Sequence, residues 1–251
     1  MKTKSFFVGM VICFLSLVLV PGLAQAGMWV GLQGGANGTA STDLNIGNWL
    51  PPHYTSEFKD VKRDWAALGG IIIGYDFVKE GFLGYNYPDW MKYFSFCTDF
   101  TYNRAESPNQ MVDIHETSGA GWYTFQDFMH MEMSLSCWSF LFKARYGFFP
   151  DSEVPFGRLQ PYIMVGPGIL FSSVRGSFYN FRPFTASSVD VALVTEAGIR
   201  WMALKNVSLD AGFRFRWAEP NYSASINGYP ANDIKTNLYL FTAMFRVSYH
   251  F

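Results

Sequence analysis

A two-residue alternation of apolar and polar positions recurs along the chain, and it is clearest over residues 237–251 and continues upstream of them. Between Val207 and Trp217 the apolar residues fall on odd positions, and Ser208, Asp210 and Arg214 fall between them. Successive side chains of a β-strand point to opposite faces, so one face can contact lipid while the other lines a polar interior. A helix would need a period of roughly 3.6 residues. The pattern therefore predicts a strand that crosses a membrane.

Seven further segments show the same alternation or a weaker form of it. They are residues 28–36, 69–77, 94–102, 131–146, 159–171, 189–201 and 237–251. Within 131–146 the apolar residues change from odd to even positions, so we expect a bulge near Ser136 or Cys137.

The connections between these segments alternate in length. The long ones are 37–65, 103–128, 173–187 and 218–235, and the shorter ones are 78–91, 147–158 and 202–205. Outer-membrane barrels have an even number of strands, short periplasmic turns and long outer loops. We therefore predict an all-β fold, an eight-stranded antiparallel transmembrane β-barrel with up-and-down meander order.

The first residues predict export. Lys2 and Lys4 precede an apolar run over 6–20, and Ala24-Gln25-Ala26 is a small-x-small cleavage site. This three-part pattern is typical of a secretory signal peptide. We expect a signal peptide at 1–26 and a single barrel domain at 27–251.

Composition supports a barrel. Aromatic residues make up 19% of the chain and charged residues only 16%, below the usual quarter or so. After the leader no run of about 18 apolar residues exists, whereas barrel strands spread their apolar residues over alternate positions. The net charge of −1 gives no basic surface, so we expect no nucleic-acid partner. Aromatic residues near the predicted strand ends suggest interfacial girdles: Tyr75, Phe77, Tyr102, Tyr146, Trp201, Trp217, Tyr239 and Tyr249.

Three segments resemble the small opacity/OmpA-like barrel superfamily of the Gram-negative outer membrane. They are the first strand at 29–35, the Pro-Tyr and Gly-x-Gly strand at 161–168, and the terminus at 245–251. The resemblance implies an assembly signal at Phe245, Val247, Tyr249 and Phe251, read by the barrel assembly machinery. It also implies contact with outer-membrane lipid and lipopolysaccharide, without a periplasmic domain after the last strand. We expect a monomer.

Charged residues on the polar faces predict a network inside the barrel. Its expected members are Asp76, Asp99, Lys143, Arg145, Asp190, Glu196, Arg200, Asp210, Arg214, Arg216 and Arg246. An eight-stranded barrel has an interior just wide enough for side chains to fill, and buried charges must be paired. We favour a paired polar plug, and a narrow channel for small solutes is the alternative.

A lipid A-modifying enzyme is a further alternative. His130, Glu132 and Ser134 share one strand face, but lipid A deacylases carry a His-x-Ser pair and no histidine here has serine two residues on. Such an enzyme would need His130 or His115 beside a reactive hydroxyl. No spacing suggests a metal site or a phosphate loop. We therefore expect no catalytic residue, no metal and no cofactor.

The predicted outer loops are rich in aromatic residues and proline. Loops on a rigid scaffold commonly carry function. We therefore expect a structural or surface-interaction role, with an extracellular partner bound through the loops, although these residues could simply cap the barrel. Cys97 and Cys137 fall on neighbouring predicted strands of an exported chain. Disulfides can form in the oxidising compartment that such a chain enters, and a strand register that places the two cysteines opposite each other is possible but not required.

Overall fold

The computed structural model describes residues 27–48, 54–78, 86–118, 121–178, 181–226 and 229–251. The predicted signal peptide at 1–26 lies outside these residues and stays a prediction. In these ranges the strands are β1 Met28–Thr39, β2 Thr42–Asn48, β3 Tyr54–Val61, β4 Ala66–Asp76, β5 Phe94–Glu106, β6 Gln110–Ser118, β7 Gly121–Arg145, β8 Leu159–Phe178, β9 Phe181–Leu204, β10 Val207–Ala218, β11 Asn221–Ile226, β12 Tyr229–Thr236 and β13 Leu238–His250. A short 3-10 helix, Asp89–Tyr93, precedes β5. Across the same ranges no helix has the length and apolar character needed to cross a membrane.

Eight strands form a closed antiparallel ring, which we call the membrane barrel. Its order is β1, β4, β5, β7, β8, β9, β10 and β13. Each of these strands therefore pairs with the next one of the set along the chain. The ring closes where β13 pairs with β1, with Leu32 opposite Val247. This confirms the predicted eight-stranded meander, in which every predicted segment contributes one strand.

The predicted long loops are largely β-structure, and in this respect the sequence-based prediction was wrong. β2, β3, β6, β11 and β12 form a continuous ladder that joins β7, while β7, β8 and β9 extend beyond the membrane barrel. β11 packs against β9, so these segments make a second ring above the first. We call this second ring the outer tier.

Strand length requires the outer tier to project from the membrane. β7 has 25 residues, which at about 3.3 Å per residue span roughly 80 Å. A tilted strand needs only about 9–11 residues to cross the hydrocarbon core. More than half of β7 must therefore lie outside the hydrocarbon.

The polarity of the two strand faces reverses along β7. Odd residues point inward throughout: Met131 and Met133 are buried in the outer tier, and Lys143 is buried in the membrane barrel. The outward side chains change from polar ones such as Glu132 to apolar ones such as Phe142. The inside is apolar where the outside meets water, and it becomes polar where the outside meets lipid.

The bulge predicted near Ser136 or Cys137 is therefore wrong. β7 pairs with β5 in one unbroken register, with Ser136 opposite Tyr102 and Cys137 opposite Thr101. A one-residue slip and a reversal of polarity produce the same sequence signal, because both exchange the apolar and polar positions. Here the signal marks the outer membrane boundary, between Ser136 and Trp138.

An apolar belt covers the outside of the membrane barrel. Phe213 and Phe245 are 53% and 72% exposed, as expected for side chains that face hydrocarbon. Exposed aromatic residues lie near both ends of the strands, among them Trp217 and Tyr239 at the outer end and Tyr249 at the periplasmic end. This arrangement matches the aromatic girdles of membrane barrels.

The two described cysteines are free thiols. Cys97 lies opposite Leu141, and Cys137 lies opposite Thr101, so the two are four residues apart along paired strands. At about 3.3 Å per residue this offset exceeds the roughly 7 Å that a disulfide spans between Cα atoms. Both thiols are buried and pack in the interior.

Candidate functional site

A network of charged side chains fills the membrane barrel. We call it the charged plug, and its members are Asp76, Asp99, Lys143, Arg145, Glu196, Arg200, Asp210, Arg214, Arg216 and Arg246. Asp190, which was expected among them, instead lies above the plug, half-buried, and accepts a hydrogen bond from Ser188 at 2.5 Å.

Asp76 organises the periplasmic end of the plug. Arg145 contacts it at 2.9 Å, while Trp29 Nε1 and Ser95 Oγ donate hydrogen bonds to it at 2.9 Å and 2.7 Å. Arg200 lies at 3.8 Å. The carboxylate thus receives donors from several strands, and it ties β4 to strands on both sides of the barrel.

The centre of the plug is held by Asp210. Arg200 Nε lies 3.0 Å and Arg246 Nη1 lies 3.2 Å from its oxygens. Lys143 Nζ is 4.0 Å from the same carboxylate and also 4.0 Å from the centre of the Tyr162 ring. The ammonium also lies 5.5 Å from the centre of the Trp29 ring, so one carboxylate and two aromatic faces surround this buried cation.

Glu196 holds the outer part of the plug. It accepts hydrogen bonds from Tyr162 Oη at 2.8 Å, Arg214 Nε at 2.8 Å and Arg246 Nη2 at 3.2 Å. Arg214 also contacts Asp99 at 2.5 Å. A single carboxylate therefore fixes two guanidinium groups in the middle of the barrel.

Glycines on the inner wall make room for the aromatic members of the interior. A Cβ at Gly74 would lie 2.2 Å from the Trp29 ring, and one at Gly198 would lie 2.6 Å from Tyr162 Oη. Any larger residue at these two positions would displace the ring. The sequence showed these glycines only as weak positions in the strand pattern.

The side chains of the charged plug are buried inside the membrane barrel. Its six basic and four acidic side chains leave an excess of two positive charges, and nearly all are less than about 10% exposed. Arg216 donates to Thr101 at 3.1 Å and has no carboxylate partner among the described residues. An eight-stranded barrel packed in this way leaves little room for solute between its strands.

The interior of the outer tier is apolar. Its buried side chains include Leu44, Ile46, Phe58, Ile114, Met131 and Val174, each at most 6% exposed. Together they form a core above the charged plug, which we call the apolar chamber. Side chains alternate along β2 in the opposite sense to those of the membrane strands, with Leu44 and Ile46 inside and Asp43 and Asn45 outside. This is the pattern of a sheet whose outer face contacts water.

Arg63 and Asp127 are the two charged side chains that the described residues bury in the outer tier. They form no ion pair with each other, and Arg63 is the cation of the two. It lies between β3 and β4, is 8% exposed, and donates to Thr42 Oγ1 at 3.0 Å through Nη1. Its Nε and Nη2 atoms have no hydrogen-bond partner in the part of the chain that the structure describes. Burial lowers the pKa of Arg63 to about 10, and Tyr222 is the group that opposes this shift. Sequence reasoning missed Arg63 because it lies in a short connection without alternation.

A polar groove runs along the outside of the outer tier, next to the outer girdle. Its volume is about 810 Å³. Its walls carry Ser41, Thr42, Asp43, Asn45, Glu57, Asp60, Glu219, Pro220, Asn221, Lys235, Thr236, Asn237 and Tyr239. Lys59 contacts Asp43 at 3.3 Å and Glu57 at 2.5 Å, so two of the carboxylates are paired. Hydroxyls, amides and carboxylates predominate in this surface.

The enzyme alternative would need His130 or His115 beside a reactive hydroxyl. Glu132 contacts Arg104 at 2.8 Å and lies 3.9 Å from His130. Ser134 is four residues from His130 along one strand, about 13 Å away at 3.3 Å per residue. His130 therefore does not reach this hydroxyl.

His115 does contact a hydroxyl. Its Nδ1 lies 3.1 Å from Thr124 Oγ1 on the exposed face of the outer tier. Its cross-strand neighbour Glu57 is bound to Lys59 instead. The structure thus brings together a histidine and a hydroxyl, while the carboxylate that would orient the imidazole is held elsewhere.

The residues of the predicted assembly signal lie on the lipid-facing side of the last strand. Phe245, Val247 and Tyr249 are between 46% and 72% exposed, and the Phe251 amide donates to Met28 O at 3.0 Å. The terminus is therefore fixed at the seam between β1 and β13. Recognition by the assembly machinery stays a prediction.

A closed ring of eight antiparallel strands with an apolar aromatic belt and a polar interior defines a transmembrane β-barrel. The molecule is a transmembrane β-barrel of the outer-membrane type.

Solved structures of outer-membrane proteins are similar to this chain. Neisserial surface protein A is 13% identical, with 90% of this chain and 98% of that chain covered and a TM-score of 0.40. OprG from Pseudomonas aeruginosa is 12% identical, with 90% and 98% covered and a TM-score of 0.40. AlkL is 14% identical, with 90% and 92% covered and a TM-score of 0.42. At these identities the likeness concerns the fold alone. No protein-family model and no curated protein matches the chain.

Proposed function

We propose that this outer-membrane barrel is a surface-interaction protein in which the membrane barrel is a closed anchor and the outer tier presents the binding surface. The observation that carries the proposal is the polar groove on the outer tier. Strands are more rigid than free loops, so a groove built between them can hold its donors and acceptors in place before a partner binds.

The chemistry of the polar groove favours a saccharide partner. Asn45, Asn221 and Asn237 offer amide donors and acceptors, and Asp60 and Thr236 add a carboxylate and a hydroxyl. Sugar hydroxyls both donate and accept hydrogen bonds, so they can satisfy each of these groups.

The position of the groove favours the sugars of lipopolysaccharide. Tyr239 belongs both to the groove and to the outer aromatic girdle, so the groove opens at the level of the lipid headgroups. We therefore propose that the sugar portion of lipopolysaccharide is the partner.

The experiment uses the barrel in nanodiscs and core oligosaccharide released from lipopolysaccharide as the probe. We expect saturable binding in calorimetry, and about a tenfold weaker affinity in the Asn45→Ala, Asn221→Ala double variant, because each lost hydrogen bond costs about 0.5–1.5 kcal/mol. Gln126→Ala changes an outward amide elsewhere on the outer tier and serves as the control. Equal affinities of all three proteins, or no saturable binding by the wild type, would refute the proposal.

A further inference from the structure

The guanidinium of Arg63 differs from most of those in the charged plug, where only Arg216 is likewise without a carboxylate partner among the described residues. Arg200, Arg214 and Arg246 each have a carboxylate oxygen within 3.2 Å. Arg63 is also buried, at 8% exposed, yet no described carboxylate lies within ion-pair distance of it, and two of its nitrogen atoms have no acceptor among the described residues. A buried charge is costly unless it is paired, so the structure contains a cation that lacks its anion.

The neighbours of Arg63 are also donors. Tyr222 is close enough to Arg63 to influence its pKa, and the hydroxyls of Tyr222 and Ser172 are buried without a hydrogen-bond partner among the described residues. Thr42 already accepts the one hydrogen bond that Arg63 makes. A hydroxyl can turn its hydrogen toward an anion, so an anion placed here would be bound by one guanidinium and by hydroxyls.

The apolar side chains buried in the outer tier select the rest of the ligand. The apolar chamber presents Phe58, Val174 and Phe184, each 3% exposed or less, and the thioether side chains of Met129, Met131 and Met133. Methionine is unbranched and adapts its shape, so this wall can make room for an apolar molecule. A small hydrated ion would lose its water against such a surface, whereas an anion on a hydrocarbon chain would bury that chain.

We propose that the outer tier binds an amphipathic anion whose carboxylate pairs with the free side of the Arg63 guanidinium and whose hydrocarbon body lies in the apolar chamber. This interior site adjoins the polar groove at Thr42, but it uses neither of the asparagines varied in the saccharide experiment. The two proposals are therefore tested separately.

The test measures saturable binding of decanoate to the full barrel in nanodiscs, after subtraction of its partition into empty nanodiscs. Decanol has the same chain without the charge, and acetate and inorganic phosphate have the charge without the chain. We expect decanoate to bind at least tenfold more tightly than decanol, acetate or phosphate. Arg63→Met should lower the decanoate affinity at least tenfold and leave that of decanol unchanged.

Two further variants keep the test decisive. Lys62→Met removes the exposed neighbouring cation and should bind decanoate like the wild type. Arg63→Lys keeps the charge without the planar fork, and it should retain part of the affinity if Arg63→Met fails to fold. Equal binding of decanoate and decanol, equal binding by wild type and Arg63→Met, or binding of phosphate as tight as that of decanoate would each overturn the proposal.

Discussion

Replacing Glu196 with alanine is expected to lower the free energy of unfolding by about 3–5 kcal/mol, the cost of breaking a buried ion pair from one side. Glu196 contacts Arg214 and Arg246, and all three side chains are at most 1% exposed. The variant would leave two guanidinium groups in the barrel with only Asp99 and Asp210 to pair them. Equilibrium unfolding by denaturant in lipid vesicles measures the difference.

An exposed pair provides the control for the Glu196 experiment. Glu106 lies 3.5 Å from Arg104, and both side chains are more than half exposed. Glu106→Ala should therefore cost no more than about 1 kcal/mol. Equal losses in the two variants would contradict a buried, paired plug.

Electrical recordings add a second readout for the charged plug. The wild-type barrel should pass no steady single-channel current across a planar bilayer, because the plug fills its interior. Large, steady currents from the wild type would instead support the alternative of a narrow channel for small solutes.

Arginine at Phe213 is expected to cost about 2–4 kcal/mol of folding free energy, because Phe213 lies near the middle of β10 on the face that meets hydrocarbon. Met111 is its matched control. The two side chains are almost equally exposed, at 53% and 54%, but Met111 belongs to β6 in the outer tier. Met111→Arg should change stability by no more than about 0.5 kcal/mol, as at an ordinary water-exposed position.

The contrast between these two variants reports the surrounding solvent and not the degree of exposure. Refolding into vesicles followed by denaturant titration measures both. If Met111→Arg costs as much as Phe213→Arg, the outer tier is embedded in lipid. If neither variant is destabilised, the face assigned to lipid on β10 is wrong.

The membrane barrel could be predicted from the sequence because lipid enforces a strict pattern. In β10 and β13 each outward residue is apolar and most inward residues are polar. The alternation therefore predicted both the strand and which of its two faces contacts lipid. The same reasoning placed Glu196, Asp210 and Arg246 on the inner face. It could not give their partners, because Arg246 joins carboxylates on two other strands, and that contact depends on barrel closure.

The outer tier could not be predicted in the same way. Above the membrane boundary the apolar side chains turn inward and the polar ones outward, so β7 changes phase at Ser136 without changing its register. Short strands such as β2 and β6, rich in Asp, Asn and Thr, resemble loops when they are read by composition. Their positions are set by pairing with the extended parts of β7 and by the apolar chamber, which are tertiary effects.

Solvent accessibility along β7 tests the central claim most directly, which is that one continuous strand passes from water to lipid while its inner face stays inside. Spin labels at single cysteines, in a background without the two native thiols, would report collisions with oxygen in lipid and with a nickel chelate in water. We expect labels at Glu132 to meet water, labels at Phe140 to meet lipid, and labels at Met133 and Leu141 to meet neither. If Met133 meets water while Glu132 is shielded, the strand shifts its register between the tiers, and the two-tier account is wrong.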